Sequence, residues 1–128
     1  MDQKDLISKI IADFSAIPIE IPGIYLFGSY AEGKADGRSD VDICLVAGTK
    51  IDPKQLQFLA WRYVNSNIYD IRVFEFLPLY MQIRIIAKGI LLQSCDIPAL
   101  TEYLYSYWKR WDDQRWYQTP IPGAPGFL

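Results

Sequence analysis

The segment from Gly28 to Asp42 constrains this chain more than any other. Gly28-Ser29 closes one apolar run, and after ten intervening residues Asp40-Val41-Asp42 opens a second. Two strands joined in this way bring a small-residue turn and paired carboxylates to the edges of neighbouring strands. Gly28 lets the backbone approach a phosphate closely, and Ser29 adds a hydroxyl and an N–H donor.

The rest of the pattern is α/β: a small mixed sheet flanked by helices, with a C-terminal helix. Alternation over Val41 to Ala47 puts Asp40, Asp42, Cys44 and Val46 on one face and Val41, Ile43 and Leu45 on the other. Apolar residues on both faces beyond Asp42 mark a central strand. A preceding strand lies within Ile19 to Phe27, regular only from Ile24 because of Pro22-Gly23. Ile68 to Phe76 reads as a third strand, with Asp70, Arg72, Phe74 and Phe76 on one face.

Helices are expected over Asp5 to Phe14, stopped by Pro18, and from Asp52-Pro53, with Leu56, Leu59, Ala60 and Tyr63 as its inner stripe. A further helix runs from Pro78 to about Ala87, ended by Gly89, and a last one from Ile97-Pro98 to about Tyr117. Tyr30 to Ala35 reads as a short helix before an Asp36-Gly37 turn, and Ile90 to Gln93 as a strand or turn. At 128 residues this is one domain. It divides into a core over residues 1–96, an aromatic-rich helix over 97–118 and a Pro/Gly-rich tail over 119–128.

Composition narrows the chemistry. The chain has no histidine, which removes His bases, Ser-His and Cys-His nucleophile pairs and His metal ligands, leaving carboxylates. A net charge of -2 gives no basic footprint for general nucleic-acid binding. Cys44 and Cys95 both lie in or beside apolar segments and read as reduced, mostly buried thiols. Phe74 to Leu92 is interrupted by Glu75, Arg84 and Lys88, so it is no membrane span, and Met1 to Asp5 lacks a signal-peptide pattern. The expectation is a soluble cytoplasmic protein.

Two aspartates at i and i+2 of a strand stand about 6.5–7 Å apart on one face, a spacing that suits two Mg2+ ions about 3.5–4 Å apart. A third carboxylate on the neighbouring strand completes such a site, and Asp70 has that place. Divalent cations offset the repulsion of three clustered carboxylates. Alone, an Asp-x-Asp is most often a solvated strand end, and a Gly-Ser merely a turn. Their combination in this order, between apolar strands, points instead to a metal–nucleotide site.

Gly28-Ser29, ten residues, then Asp40-Val41-Asp42 resembles the G-S-x10-D-x-D signature of the nucleotidyltransferase superfamily related to DNA polymerase beta. The short chain, and the run from Asp70 through Pro78 to Gly89-Ile90-Leu91-Leu92, resemble its minimal nucleotidyltransferase (MNT) branch, over about residues 5 to 96. The resemblance implies an ATP- and Mg2+-dependent enzyme. Many MNT proteins are antitoxins that transfer AMP to a tyrosine hydroxyl of a HEPN-domain ribonuclease toxin (HepT-like). Asp40, Asp42 and Asp70 would hold two Mg2+ ions, with Asp70 also orienting or deprotonating the acceptor. Gly28 and Ser29 would bind the β and γ phosphates, with Ser39, Lys34 and Arg38 as further candidate nucleotide ligands. Members often carry arginines in a G-S-R-A-R-G loop; here those positions are Tyr30 and Glu32, so Lys34 or Arg38 would have to substitute.

Tyr103, Tyr105, Tyr107, Trp108, Trp111, Trp116 and Tyr117 crowd the last helix. Leu100, Leu104, Trp108 and Trp111 follow helical spacing and read as core. Tyr105, and with it Trp116, falls on other faces, as packing on the sheet and tail or as a partner-binding surface. Lys109, Arg110 and Arg115 would form a polar rim or pair with Asp112 and Asp113. Three functions fit: an adenylyltransferase antitoxin, a non-catalytic antitoxin that occludes its partner, or a small-molecule nucleotidyltransferase completed in a homodimer.

Overall fold

In a computed structural model, residues 2–36, 40–65 and 67–118 are described, with side chains through 114. The candidate ligands Arg38 and Ser39, the side chains of Arg115, Trp116 and Tyr117, and the tail over 119–128 lie outside the described residues. The elements are α1 (Gln3–Phe14), β1 (Gly23–Phe27), β2 (Val41–Val46), α2 (Pro53–Tyr63), β3 (Tyr69–Val73), α3 (Leu79–Lys88), β4 (Ile90–Gln93) and α4 (Ile97–Gln118). The strands form one mixed sheet in the order β3-β2-β1-β4. β1 is antiparallel to both β2 and β4, whereas β2 and β3, joined through α2, are parallel.

Local chemistry sets the helix starts. Asp2 caps α1 by accepting from the Asp5 N–H at 2.9 Å. Asp52 caps α2 by accepting from the Lys54 N–H at 3.1 Å, with Pro53 at the first helical position, where its missing N–H costs nothing. Each face of the sheet then receives two helices. Ile10 and Phe14 of α1 and Leu56 and Ala60 of α2 bury Leu26, Ile43 and Leu45. Ile85 of α3 and Leu100 and Leu104 of α4 close over Tyr25, Cys44 and Val46. Full burial of each large aliphatic side chain contributes about 1.5–3 kcal/mol, so the two layers supply most of the driving force.

Side-chain bonds lock the layers. Asp13 of α1 accepts from the Tyr69 hydroxyl of β3 at 2.5 Å and from the Lys9 ammonium at 2.8 Å. At the far end of β2, the Glu75 carboxylate accepts from the backbone N–H groups of Ala47 and Gly48, each at 3.0 Å. It also accepts from the Tyr103 hydroxyl of α4 at 2.6 Å, which itself lies 2.9 Å from that of Tyr107.

The structure corrects several expectations. The third strand ends at Val73, because Phe74–Phe76 turns into a 3-10 helix that aims Glu75 at the end of β2. Phe74 is thereby buried, whereas Phe76 is exposed. Residues 28–33 form successive turns rather than a helix, with Glu32 N–H bonded to Gly28 C=O and Lys34 N–H to Ser29 C=O. Tyr63 leaves the α2 stripe and stands exposed, since Val64 takes the buried place at that helix end. In α4 Trp108 is exposed, and the half-buried Tyr103 and Tyr107 pack against the core beside Leu100 and Leu104 instead. Cys95 is exposed, lying between β4 and α4, while Cys44 is buried. Burial pushes the Cys44 thiol far up, with the Glu75 charge adding to it. Among the described residues no helix is long and apolar enough to cross a membrane.

Candidate active site

Strand register assembles the site. Asp42 pairs with Phe27 of β1 on one side and with Asp70 of β3 on the other. Two carboxylates from separate segments thus become cross-strand neighbours, with Cβ atoms about 4.5–5.5 Å apart by sheet geometry. Asp42 is half-buried, and its pKa is raised by that burial first, then by the charges of Asp70 and Asp40, with a hydrogen bond from Asp70 adding and Arg72 opposing. Crowded like charge around a half-buried carboxyl is the signature of a functional cluster.

Gly28 follows Phe27 directly and adopts φ +72°, in the left-handed region. A Cβ built there would overlap the Asp42 Oδ2. The glycine of the Gly-Ser pair is therefore required twice, for the turn and for the room its absent side chain leaves to Asp42.

The three aspartates are not assembled equally. Asp42 and Asp70 face each other, whereas Asp40 precedes β2, is exposed, and reaches Asp42 through its charge. Asp70 is engaged by Arg72, whose Nε donates to Oδ1 at 3.2 Å and Nη2 to Oδ2 at 3.5 Å. Among the described residues no three carboxylate or thiol side chains form a ready metal-holding group. The donors nevertheless fit Mg2+ in kind: hard carboxylate oxygens, mutually repelling, whose raised pKa a divalent cation would relieve.

Of the candidate nucleotide ligands, Gly28 and Ser29 occupy the turn at the end of β1, while Lys34 is exposed beyond it. The structure adds cations that were not singled out as ligands. A cleft of about 190 Å3 between this turn and α3 is lined by Phe27, Gly28, Glu32, Arg84, Ile85 and Lys88. Arg84 donates to Glu32 through two nitrogens, at 2.7 and 3.3 Å. The i, i+4 spacing of Arg84 and Lys88 was the available signal, and Arg72 shares the strand face of Asp70. A larger cavity of about 710 Å3 lies at the opposite end of β2, beside Gly48, Lys50 and Cys95, away from the acidic pair.

The chain matches the family model described as Polymerase beta, Nucleotidyltransferase over residues 7–97, a span that includes Gly28, Asp40, Asp42, Asp70, Arg84 and Lys88. It is 37% identical over 91 residues to a candidate protein adenylyltransferase of Methanocaldococcus jannaschii, covering 71% of this chain and 70% of that protein. Among solved structures, a chain of a toxin–antitoxin crystal structure with AMP-PNP superposes with a TM-score of 0.62 at 21% identity, over 85% of this chain and 91% of that one. A chain of the tri-AMPylated Shewanella oneidensis HEPN toxin in complex with its MNT antitoxin gives 0.57 at 21% identity, over 89% and 92%. At these identities the superpositions establish a shared fold.

Proposed function

The chain belongs to the Polymerase beta nucleotidyltransferase family, and we propose that it is a protein adenylyltransferase antitoxin. In this reading it uses ATP and Mg2+ to transfer AMP to a tyrosine hydroxyl of a HEPN-domain toxin. The observation that carries the reading is the register that sets Asp42 against Asp70, with Gly28 fitted to Asp42. The candidate adenylyltransferase relative and the fold shared with toxin–antitoxin chains support the substrate class.

Asp42 and Asp70, with Asp40 beside them, would hold Mg2+, which supplies neutralisation of phosphate charge when bound. The turn at Gly28 and Ser29 would seat the polyphosphate. The acceptor oxygen attacks the α-phosphorus, the bond from that phosphorus to its bridging oxygen breaks, and pyrophosphate departs. The acceptor proton passes to a carboxylate, for which Asp70 is placed at the open end of β3. α4 packs on the core through Leu100 and Leu104 while Tyr105 and Trp108 stand exposed, and this aromatic surface would meet the partner.

Incubation with α-labelled ATP, Mg2+ and a purified HEPN partner tests the reading. Label should reach the partner with the wild type and not with Asp42→Asn. Equal labelling by both proteins, or none by either, refutes it. The exposed Tyr105 and Trp108 favour occlusion as the second reading, in which Asp42→Asn still neutralises the toxin at equal stoichiometry.

A further inference from the structure

The polyphosphate seat is the least explained part of the site. Positions 30 and 32, in the turn after Gly28, hold Tyr and Glu rather than cations. Glu32 moreover adds a carboxylate to a site already carrying Asp40, Asp42 and Asp70, and only 17% of its side chain is exposed. An ATP polyphosphate, with about four negative charges, meets strong repulsion there unless cations face it. Among the described residues lining the cleft beside Gly28, the cations are Arg84 and Lys88.

We propose that Arg84 and Lys88 of α3 form the cationic seat for the β and γ phosphates of the nucleotide, and that Glu32 holds Arg84 over Gly28 until the phosphates take its place. Three observations carry this. The cleft is bordered by Phe27 and Gly28, the residues opposite and against Asp42, so a polyphosphate there stays within reach of the carboxylate pair. Arg84 and Lys88 lie one helical turn apart on α3, so both line the same cleft. The guanidinium already grips an oxyanion in fork geometry, with Nη2 and Nε on the two Glu32 oxygens at 2.7 and 3.3 Å. A phosphate offers the same planar fork the same two acceptors with more charge, so Glu32 acts as its stand-in. With 64% of its side chain exposed, Arg84 is free to follow the incoming anion.

This inference rests on the nucleotidyltransferase reading, and the experiment separates the two. The full-length protein is titrated calorimetrically, with Mg2+, against ATP, AMP and inorganic tripolyphosphate. Arg84→Ala should weaken ATP and tripolyphosphate at least tenfold and leave AMP within twofold. Arg84→Lys, which keeps charge but loses the fork, should fall between. Glu32→Gln should tighten ATP about threefold. The proposal is overturned if Arg84→Ala binds ATP within twofold of wild type, or loses ATP and AMP equally. Weaker ATP binding by Glu32→Gln would show that the ion pair merely ties the turn to α3, and would overturn it too. Wild-type protein that binds no ATP refutes the nucleotidyltransferase reading itself.

Discussion

Gly28 and Gly33 share a φ of +72° but differ in their surroundings, which separates backbone strain from contact. A Cβ at Gly33 meets nothing within 4 Å, whereas at Gly28 it overlaps the Asp42 Oδ2 and lies 3.1 Å from Cγ and 3.4 Å from Cβ. Gly33→Ala should therefore lose only the left-handed-region term, about 1–2 kcal/mol. Gly28→Ala carries the same term plus a tight overlap, of order 1–3 kcal/mol more, for a total of about 2–5 kcal/mol. In an Asp42→Ala background only the Asp42 Cβ contact at 3.4 Å survives, which is ordinary van der Waals separation. The cost of Gly28→Ala should then fall to that of Gly33→Ala. Equilibrium urea denaturation of the four proteins, with m-values compared, reads this cycle directly. Because relief of the overlap moves the Asp42 carboxylate, Gly28→Ala should also slow nucleotidyl transfer by about 100-fold, while Gly33→Ala leaves it near wild type. Equal costs at the two glycines, or a Gly28→Ala cost unchanged when Asp42 is alanine, would refute the reasoning.

The clamp at the far end of β2 gives a second test: Glu75→Ala orphans the N–H groups of Ala47 and Gly48 and the Tyr103 hydroxyl. It should destabilise by about 2–4 kcal/mol, against about 1 kcal/mol for Tyr103→Phe, and equal losses in urea denaturation would count against the clamp. The α1 anchor adds a pH dependence: bonding from Lys9 first, then Tyr69, holds the Asp13 carboxyl below its ordinary value. Since its folded pKa is depressed, its contribution is fully present above the unfolded value near ~3.9 and is lost as pH falls through the folded pKa. Asp13→Asn should thus be less stable than wild type by about 1 kcal/mol at pH 7, with the gap closing toward pH 2; a gap constant with pH would contradict this.

What sequence reading reached, and what it missed, follows from the range of each signal. Period-two alternation correctly made Val41 to Val46 a central strand, since apolar residues on both faces are a local signal. It placed Asp70 on the face of Asp42, which the parallel register bears out. The same alternation carried on through Phe74 and Phe76 failed, because the turn there is set by a tertiary demand: Glu75 must reach the Ala47 and Gly48 N–H groups. Helical spacing named Leu100 and Leu104 as core but also Trp108, because α4 rests on the sheet through a narrow stripe shared with Tyr103 and Tyr107. Arg84 went unweighed because its partner, Glu32, lies 52 residues earlier in the chain, and no local pattern joins a turn to a helix across that separation.

The position of Asp42 also bears on how the sheet finds its register. Ile43 and Leu45 fill one core layer and Cys44 and Val46 the other, so hydrophobicity alone would tolerate a one-residue slip of β2. Asp42 does not tolerate it. A slip would turn its carboxylate toward the layer of Ile10, Leu26 and Leu56, where nothing in that cluster offers it a donor. Burying an unpaired charge there costs several kcal/mol, and the Glu75 bonds to Ala47 and Gly48 would be lost as well. A polar residue at each end of an otherwise two-sided apolar strand therefore selects the register. That register in turn sets Phe27, Asp42 and Asp70 in line and Gly28 against the carboxylate. The acid that carries the proposed chemistry is thus also one of the groups that aligns the strands presenting it.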